Sequence, residues 1–141
     1  MTHVGLAARK GARHRWLVSA QDQTPVRVLV VDDSEVFRNV LWAVVAAAEG
    51  FEVLGSASSG REALFLVDSL APDLVLLDVQ MPDSDGIETA LRIRRLYPDV
   101  VVLLLTSTRR ASLDDPSLTV EDKRELSSEW LADFWRRHGL S

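Results

Sequence analysis

The feature of this sequence that most constrains its fold is a fourfold alternation of short apolar runs with amphipathic segments. The runs have the length of buried strands and cover residues 27–31, 51–57, 74–77 and 100–105. In the segments between them, apolar residues recur at the three- and four-residue spacing of a helix. Because parallel strands need long crossover connections, this order predicts an α/β fold with a parallel sheet covered by helices on both faces.

Polar side chains stand where these strands are expected to end. Asp32 and Asp33 follow the first strand, Asp78 follows the third, and Thr106 follows the fourth. Open parallel sheets bind ligands at this carboxyl edge, where the strand order reverses. Carboxylates that converge there repel one another unless a cation offsets their charge, and oxygen ligands favour Mg²⁺ or a similar divalent ion. Helix capping explains one strand-end aspartate, but a pair plus a third at a separate strand favours a cation site.

Composition limits the class of protein. The chain has 141 residues, about the size of one domain, and 47% of them are apolar, as in an average globular protein. Cysteine is absent, which excludes disulfides and Cys-ligated metal sites. No apolar run approaches the roughly 18 residues of a membrane-spanning helix. The first residues also lack the pattern of a secretory signal, so a cytoplasmic location is expected.

Charge divides the chain into two parts. The net charge is −5, but residues 1–25 carry four basic residues against Asp22 alone. Residues 26–141 carry twelve basic against twenty acidic residues. We therefore predict a basic, flexible N-terminal arm over residues 1–25 and one acidic domain over residues 26–141. An acidic domain argues against nucleic acid as a direct partner.

Three segments carry a family resemblance. In order along the chain they are VLVVDDS at residues 28–34, PDLVLLDVQMPDSDG at residues 72–86 and VVLLLTS at residues 101–107. Together they resemble the receiver domain of two-component response regulators, the CheY-like family. The resemblance implies a flavodoxin-like doubly wound parallel sheet with strand order 2-1-3-4-5. It also implies a phosphorelay function, and the chain end at Ser141 suggests a stand-alone receiver that signals through protein contacts.

The resemblance implies a role for each matching residue. Asp78 is similar to the phosphoacceptor aspartate, whose carboxylate is the nucleophile in phosphoryl transfer. Asp33 is similar to a direct Mg²⁺ ligand, with Asp32 contributing mostly through water and the backbone carbonyl of Gln80 completing the protein ligands. Thr106 is similar to the hydroxyl that bonds the new phosphoryl oxygens.

Four positions around the site also have roles in the same resemblance. Gln80 and Thr108 occupy the places that tune dephosphorylation in such domains, and Pro82 and Gly86 suit the tight loop that frames the site.

The family also has a lysine after a fifth strand, where it pairs with the phosphoryl group. Only Lys10 and Lys123 are available, and Lys10 precedes the first strand, so Lys123 is the candidate. Only 16 residues separate Thr106 from Lys123, so the helix between the fourth and fifth strands should be very short or replaced by a loop. The fifth strand should be short, at residues 118–122. A lysine near solvent there should contribute little to stability.

The sequence departs from the family around this lysine. Val120 stands where a switch aromatic is usual, Arg124 replaces a proline, and the acidic residues at 121 and 122 are unusual for a buried strand. After them, Ser127 or Ser128 should cap a final helix.

The resemblance names partners but leaves alternatives open. It implies a histidine kinase or phosphotransfer protein as phosphoryl donor and an unidentified output protein, and the sequence also allows a homodimer. It implies no conventional enzyme beyond the domain's own phosphorylation and dephosphorylation. The alternative is a pseudo-receiver that acts as a non-switching interaction module. A haloacid-type hydrolase fits less well, because its nucleophile opens an Asp-x-Asp pattern, whereas this chain has Asp32, Asp33 and Ser34 in sequence.

Overall fold

A parallel sheet of five strands forms the centre of the molecule, in the order β2-β1-β3-β4-β5. In the computed structural model, which describes residues 24–81, 84–107 and 118–138, the strands are β1 (Val26–Val31), β2 (Phe51–Ala57), β3 (Leu74–Asp78), β4 (Val101–Thr106) and β5 (Thr119–Asp122). Each neighbouring pair is parallel. The predicted fold class and strand order are confirmed, and the short fifth strand forms one residue later than expected.

Four helices are described, each beginning where a polar side chain can satisfy its first free amides. They are α1 (Glu35–Ala47), α2 (Gly60–Leu70), α3 (Gly86–Leu96) and α4 (Ser128–His138), with a short 3-10 turn at Lys123–Glu125. Ser34, Ser59 and Asp85 cap the first three helices, and the Ser127 hydroxyl accepts the Trp130 amide at 3.0 Å. The predicted start of the final helix is confirmed.

The helices lie on both faces of the sheet and bury two separate apolar clusters. Alternate residues of each central strand point to opposite faces. Val28 and Val30 pack with the α1 and α4 residues Leu41 and Phe134 in one cluster. The intervening β1 residues belong to the other cluster, with apolar residues of α2 and α3. Because both faces are covered, β1 and β3 are apolar and buried along nearly their whole length.

A tight connection follows β3 and brings α3 close to the strand end. Two-residue strands, Gln80–Met81 and Ser84–Asp85, pair antiparallel where the sequence predicts only a loop. Gly86 begins α3 so close to β3 that an added Cβ would lie 2.8 Å from Val79 Cα. Two backbones approach this closely only at a residue without a side chain.

Several predictions fall outside the described residues. They are residues 1–23 of the basic arm predicted over residues 1–25, the framing residue Pro82, the shortened or missing helix within residues 108–117, and Thr108. Among the helices that are described, none combines the length and the apolar character that a membrane crossing requires.

Candidate functional site at the carboxyl edge of the sheet

Three aspartates meet at the carboxyl ends of β1 and β3. The two strands are parallel neighbours in which Val31 pairs with Leu77, so the residues that follow lie side by side. One carboxylate oxygen from each of Asp32, Asp33 and Asp78 lies within 4.8 Å of the others. Asp32 and Asp78 are buried and Asp33 is exposed, so the cluster opens to solvent on the Asp33 side.

The lysine that follows β5 reaches this cluster. Lys123 Nζ lies 2.7 Å from Asp32 Oδ2 and 3.5 Å from Asp78 Oδ1. Its side chain is 5% exposed, which corrects the expectation of a lysine near solvent. The difference arises because β5 pairs with β4 up to Thr106, and the 3-10 turn then begins at Lys123 itself. A lysine buried to this extent is normally paired with a carboxylate, as it is here.

A phenylalanine covers the same ammonium. The ring of Phe37 lies face-on to Lys123 Nζ, 4.0 Å from its centroid. From its spacing in the first helix, the sequence indicates only a core position for Phe37. Its place in the first turn after the strand-end aspartates is the one sequence signal that could have linked it to the site.

Burial and charge perturb the acidity of Asp78. Desolvation raises the pKa of Asp78 to about 6, and the negative charge of Asp32 adds to this effect. The Lys123 ammonium acts to lower the pKa of Asp78. The backbone amide of Gln80, which donates a hydrogen bond to Asp78 Oδ1 at 3.2 Å, lowers it as well. Lys123 therefore offsets only part of the cost of a charged Asp78.

The donor set fits a hard divalent cation. Three carboxylates face a single ammonium, so the ionised cluster keeps an excess of negative charge. Asp32 Oδ2 is buried and, among the described residues, accepts no hydrogen bond, although the Lys123 ammonium lies 2.7 Å from it. Oxygen donors with free lone pairs are the ligands that Mg²⁺ prefers.

The remaining predicted residues lie at the same edge. Thr106 is buried at the end of β4, one residue beyond the partner of Asp78 in that strand. Gln80 is exposed, and its side-chain oxygen accepts a hydrogen bond from the Ser107 hydroxyl at 3.3 Å. This bond links the segments that follow β3 and β4, and sequence reasoning missed it.

Comparison with known proteins places this site in a family. A family model described as the response regulator receiver domain matches residues 28–121. The protein-glutamate methylesterase/protein-glutamine glutaminase of Trichodesmium erythraeum (strain IMS101) is 39% identical over 100 residues, which are 68% of this chain and 28% of that protein. Response regulator GacA of Pseudomonas viridiflava is 41% identical over 81 residues, which are 57% of this chain and 38% of that protein. The chain thus spans well under half the length of these relatives.

Solved structures agree with the sequence matches. The response regulator domain of Thermotoga maritima CheB superposes with a TM-score of 0.64 at 26% identity, covering 80% of this chain and 95% of that one. The fold, the family model and the three sequence segments described above all indicate the same family. The chain belongs to the response regulator receiver family.

Proposed function

We propose that this receiver accepts a phosphoryl group on Asp78 in a Mg²⁺-dependent reaction, from a histidine kinase or phosphotransfer protein. The observation that carries the proposal is the convergence of three carboxylates from two strand ends with the Lys123 ammonium. Nζ lies within 3.5 Å of both buried aspartates. A purely structural aspartate does not need this arrangement.

In the proposed reaction, an Asp78 carboxylate oxygen attacks the phosphorus of a phosphohistidine. The new O–P bond forms as the P–N bond breaks, and the ring, which takes a proton from water on its other nitrogen, leaves as neutral imidazole with the bonding electron pair. Lys123 stands where its charge stabilises the transferred group as well as the two carboxylates. Asp33, Asp32 and Asp78 would hold Mg²⁺ with the Gln80 backbone carbonyl. The ion would supply neutralisation of the negative charge that gathers during transfer.

Two residues would act after the transfer. We assign to the Thr106 hydroxyl the bonding of a new phosphoryl oxygen, because β4 ends beside β3 at this edge. We assign to Gln80 the control of attacking water. Its side chain is exposed and hydrogen-bonded to Ser107, while its backbone amide donates a hydrogen bond to Asp78.

Phosphorylation by acetyl phosphate with Mg²⁺ tests the proposal, with the adduct located by intact mass and peptide mapping. Wild type should gain one phosphoryl group, and Asp78→Asn should gain none. Asp133→Asn is the matched control, because it removes an exposed carboxylate of α4 that pairs with Arg136 and not with a residue of the site. Absence of an adduct on wild type would favour the non-switching module, and an adduct on Asp78→Asn would exclude Asp78 as acceptor.

We further propose that the signal leaves through contacts with an output protein and that the domain works in the cytoplasm, where a phosphorelay draws on ATP. The curated relatives carry additional chain beyond the matched segment. The stand-alone form therefore remains a prediction. The mass of the native protein, measured by immunoblot in its source cells, tests it.

A further inference from the structure

We propose that Phe37 is a positioning residue whose ring face holds the Lys123 ammonium against Asp78. The inference rests on the proposed function, because the ring would act on phosphoryl transfer through the lysine. Its basis is a contact within the described residues that has no place in the metal site or in the apolar core: Lys123 Nζ lies 4.0 Å from the Phe37 ring centroid.

Three groups in the described part of the chain contact the Lys123 ammonium, and the Phe37 ring is one of them. Nζ lies 2.7 Å from Asp32 Oδ2 and 3.5 Å from Asp78 Oδ1. The Phe37 ring centroid, 4.0 Å from Nζ, is the third close contact, well inside the about 6 Å over which a cation is attracted to an aromatic face. With the side chain 5% exposed, little room remains for water.

The unequal distances show why a third contact matters. Nζ lies closer to Asp32 than to Asp78, and a lysine stem is long and flexible. Without the ring, the ammonium can pair with Asp32 alone and turn away from the phosphoacceptor. An aromatic face attracts the ammonium without neutralising it, so the charge stays available to the transferred group.

The ring itself is held at a fixed place. The Phe37 amide donates to the Ser34 hydroxyl at 3.3 Å, which makes it part of the N-terminal cap of α1. The next residue, Arg38, donates from its guanidinium to the Asp32 carbonyl oxygen at 2.8 Å. The first turn of α1 is thereby tied to the end of β1, and Phe37 is carried to the ammonium by that turn.

The test replaces Phe37 with mono-, di- and trifluorinated phenylalanine, which weakens the negative ring face with little change of shape. Phe37→Leu and Phe37→Tyr complete the series. The rate of phosphorylation by acetyl phosphate should fall stepwise with fluorination and about tenfold in Phe37→Leu. Phe37→Tyr should stay within about twofold of wild type, since it keeps a similar ring face. The affinity for Mg²⁺ should not weaken, because an ammonium that turns away from Asp78 leaves that carboxylate more negative.

Two controls separate this role from a structural one. In a Lys123→Gln background the fluorinated series should have no further effect on the rate. Phe65→Leu, which changes a phenylalanine of α2 that is 67% exposed, should match wild type. A site that had merely collapsed would lose Mg²⁺ affinity and phosphorylation together.

The outcomes also separate this inference from the proposed function. A phosphorylated wild type with a flat fluorinated series would overturn the positioning role alone, whereas an unphosphorylated wild type would overturn the function. The geometry has a readout of its own: the Lys123 Cε protons should show an upfield ring-current shift in NMR spectra that Phe37→Leu abolishes. Absence of that shift in wild type would overturn the inference whatever the phosphorylation result.

Discussion

The three aspartates of the site have the same side chain but lie in different environments. Asp32 is buried. Its Oδ1 accepts a hydrogen bond from the Ser34 backbone amide at 2.9 Å, and its Oδ2 forms an ion pair with Lys123. Asp78 is buried as well and accepts the Gln80 amide. Asp33 is exposed and faces solvent. In the proposed reaction, a cation or a phosphoryl donor would therefore reach the buried pair from the side of Asp33.

The raised pKa of Asp78 predicts a pH-dependent cost of keeping this residue ionised. Its pKa rises from 3.8 to about 6 on folding, so the folded state holds a proton that the unfolded state has lost between these values. Wild type should therefore lose stability relative to Asp78→Asn as pH rises from about 4 to 6, by on the order of 2 kcal/mol. The gap should then stay constant.

Thermal denaturation in EDTA between pH 4 and 8 measures this gap. Asp133→Asn should run parallel to wild type throughout. A gap between Asp78→Asn and wild type that is the same at pH 4 and pH 7 would contradict the argument.

Removing the lysine should affect both stability and reactivity. Lys123→Ala leaves two buried carboxylates without their cation, which should cost about 3 kcal/mol of unfolding free energy in EDTA. Mg²⁺ should restore part of the loss, because it supplies positive charge to the same oxygens. Beryllofluoride mimics a phosphoryl group bound to a carboxylate, and the change in tryptophan fluorescence that it should cause in wild type should be lost in Lys123→Ala, since the ammonium is absent.

Chemical denaturation with and without Mg²⁺, together with tryptophan fluorescence in beryllofluoride, measures these effects. Lys10→Ala is the control and should change neither quantity. Equal stability of Lys123→Ala and wild type in EDTA would count against the buried ion pair.

Among the elements, the start of α3 is the most tightly constrained by its neighbour. A Cβ on Gly86 would lie 2.8 Å from both the Val79 Cα and carbonyl oxygen, and closer still to the Asp78 carbonyl oxygen. Gly86→Ala should therefore displace α3 from the end of β3, cost about 1–3 kcal/mol and slow phosphorylation. Gly55→Ala is the matched control, because its Cβ would meet Leu70 Cδ1 at an ordinary 3.7 Å.

Urea denaturation of the two alanine variants measures the difference. Equal unfolding free energies for Gly86→Ala and Gly55→Ala would show that the close approach is relieved at no cost.

Elements with a long, regular pattern could be predicted from the sequence, and so could the residues at their ends. The apolar runs predicted the positions of β1, β3 and β4. The register of the parallel neighbours β1 and β3 then brings Asp32 beside Asp78. The two-residue strands before α3 are too short to show any period. Phe37 was missed for a related reason: spacing tells which face of a helix is apolar, but not which charged group from another strand comes to lie on that face.

At the scale of the whole molecule, the residues proposed to bind Mg²⁺ follow two different strands, and the unfolded chain separates Asp32 and Asp33 from Asp78 and Gln80. A ligand that binds only the folded state stabilises it, by about 2.7 kcal/mol at a hundred times its dissociation constant. Saturating Mg²⁺ should therefore raise the midpoint of thermal unfolding by several degrees. Calorimetry checks this, with Asp33→Asn expected to lose the increase and Asp133→Asn to keep it. No increase in wild type would argue against a specific site.

The strand β5 lies at an edge of the sheet, and its charged residues oppose self-association of the protein. An outer strand offers unpaired backbone groups to other chains, and charged side chains on it discourage such pairing. Glu121 and Asp122, unexpected for a buried strand, are only half-buried on this outer one. Burial and the nearby charges of Glu125 and Asp122 raise the pKa of Glu121, so its negative charge is lost early as pH falls. Light scattering should therefore show self-association of the wild type increasing in mild acid, whereas Glu121→Gln should self-associate more already at neutral pH and change less on acidification: the acidic residues that fit poorly in a strand protect this outer edge.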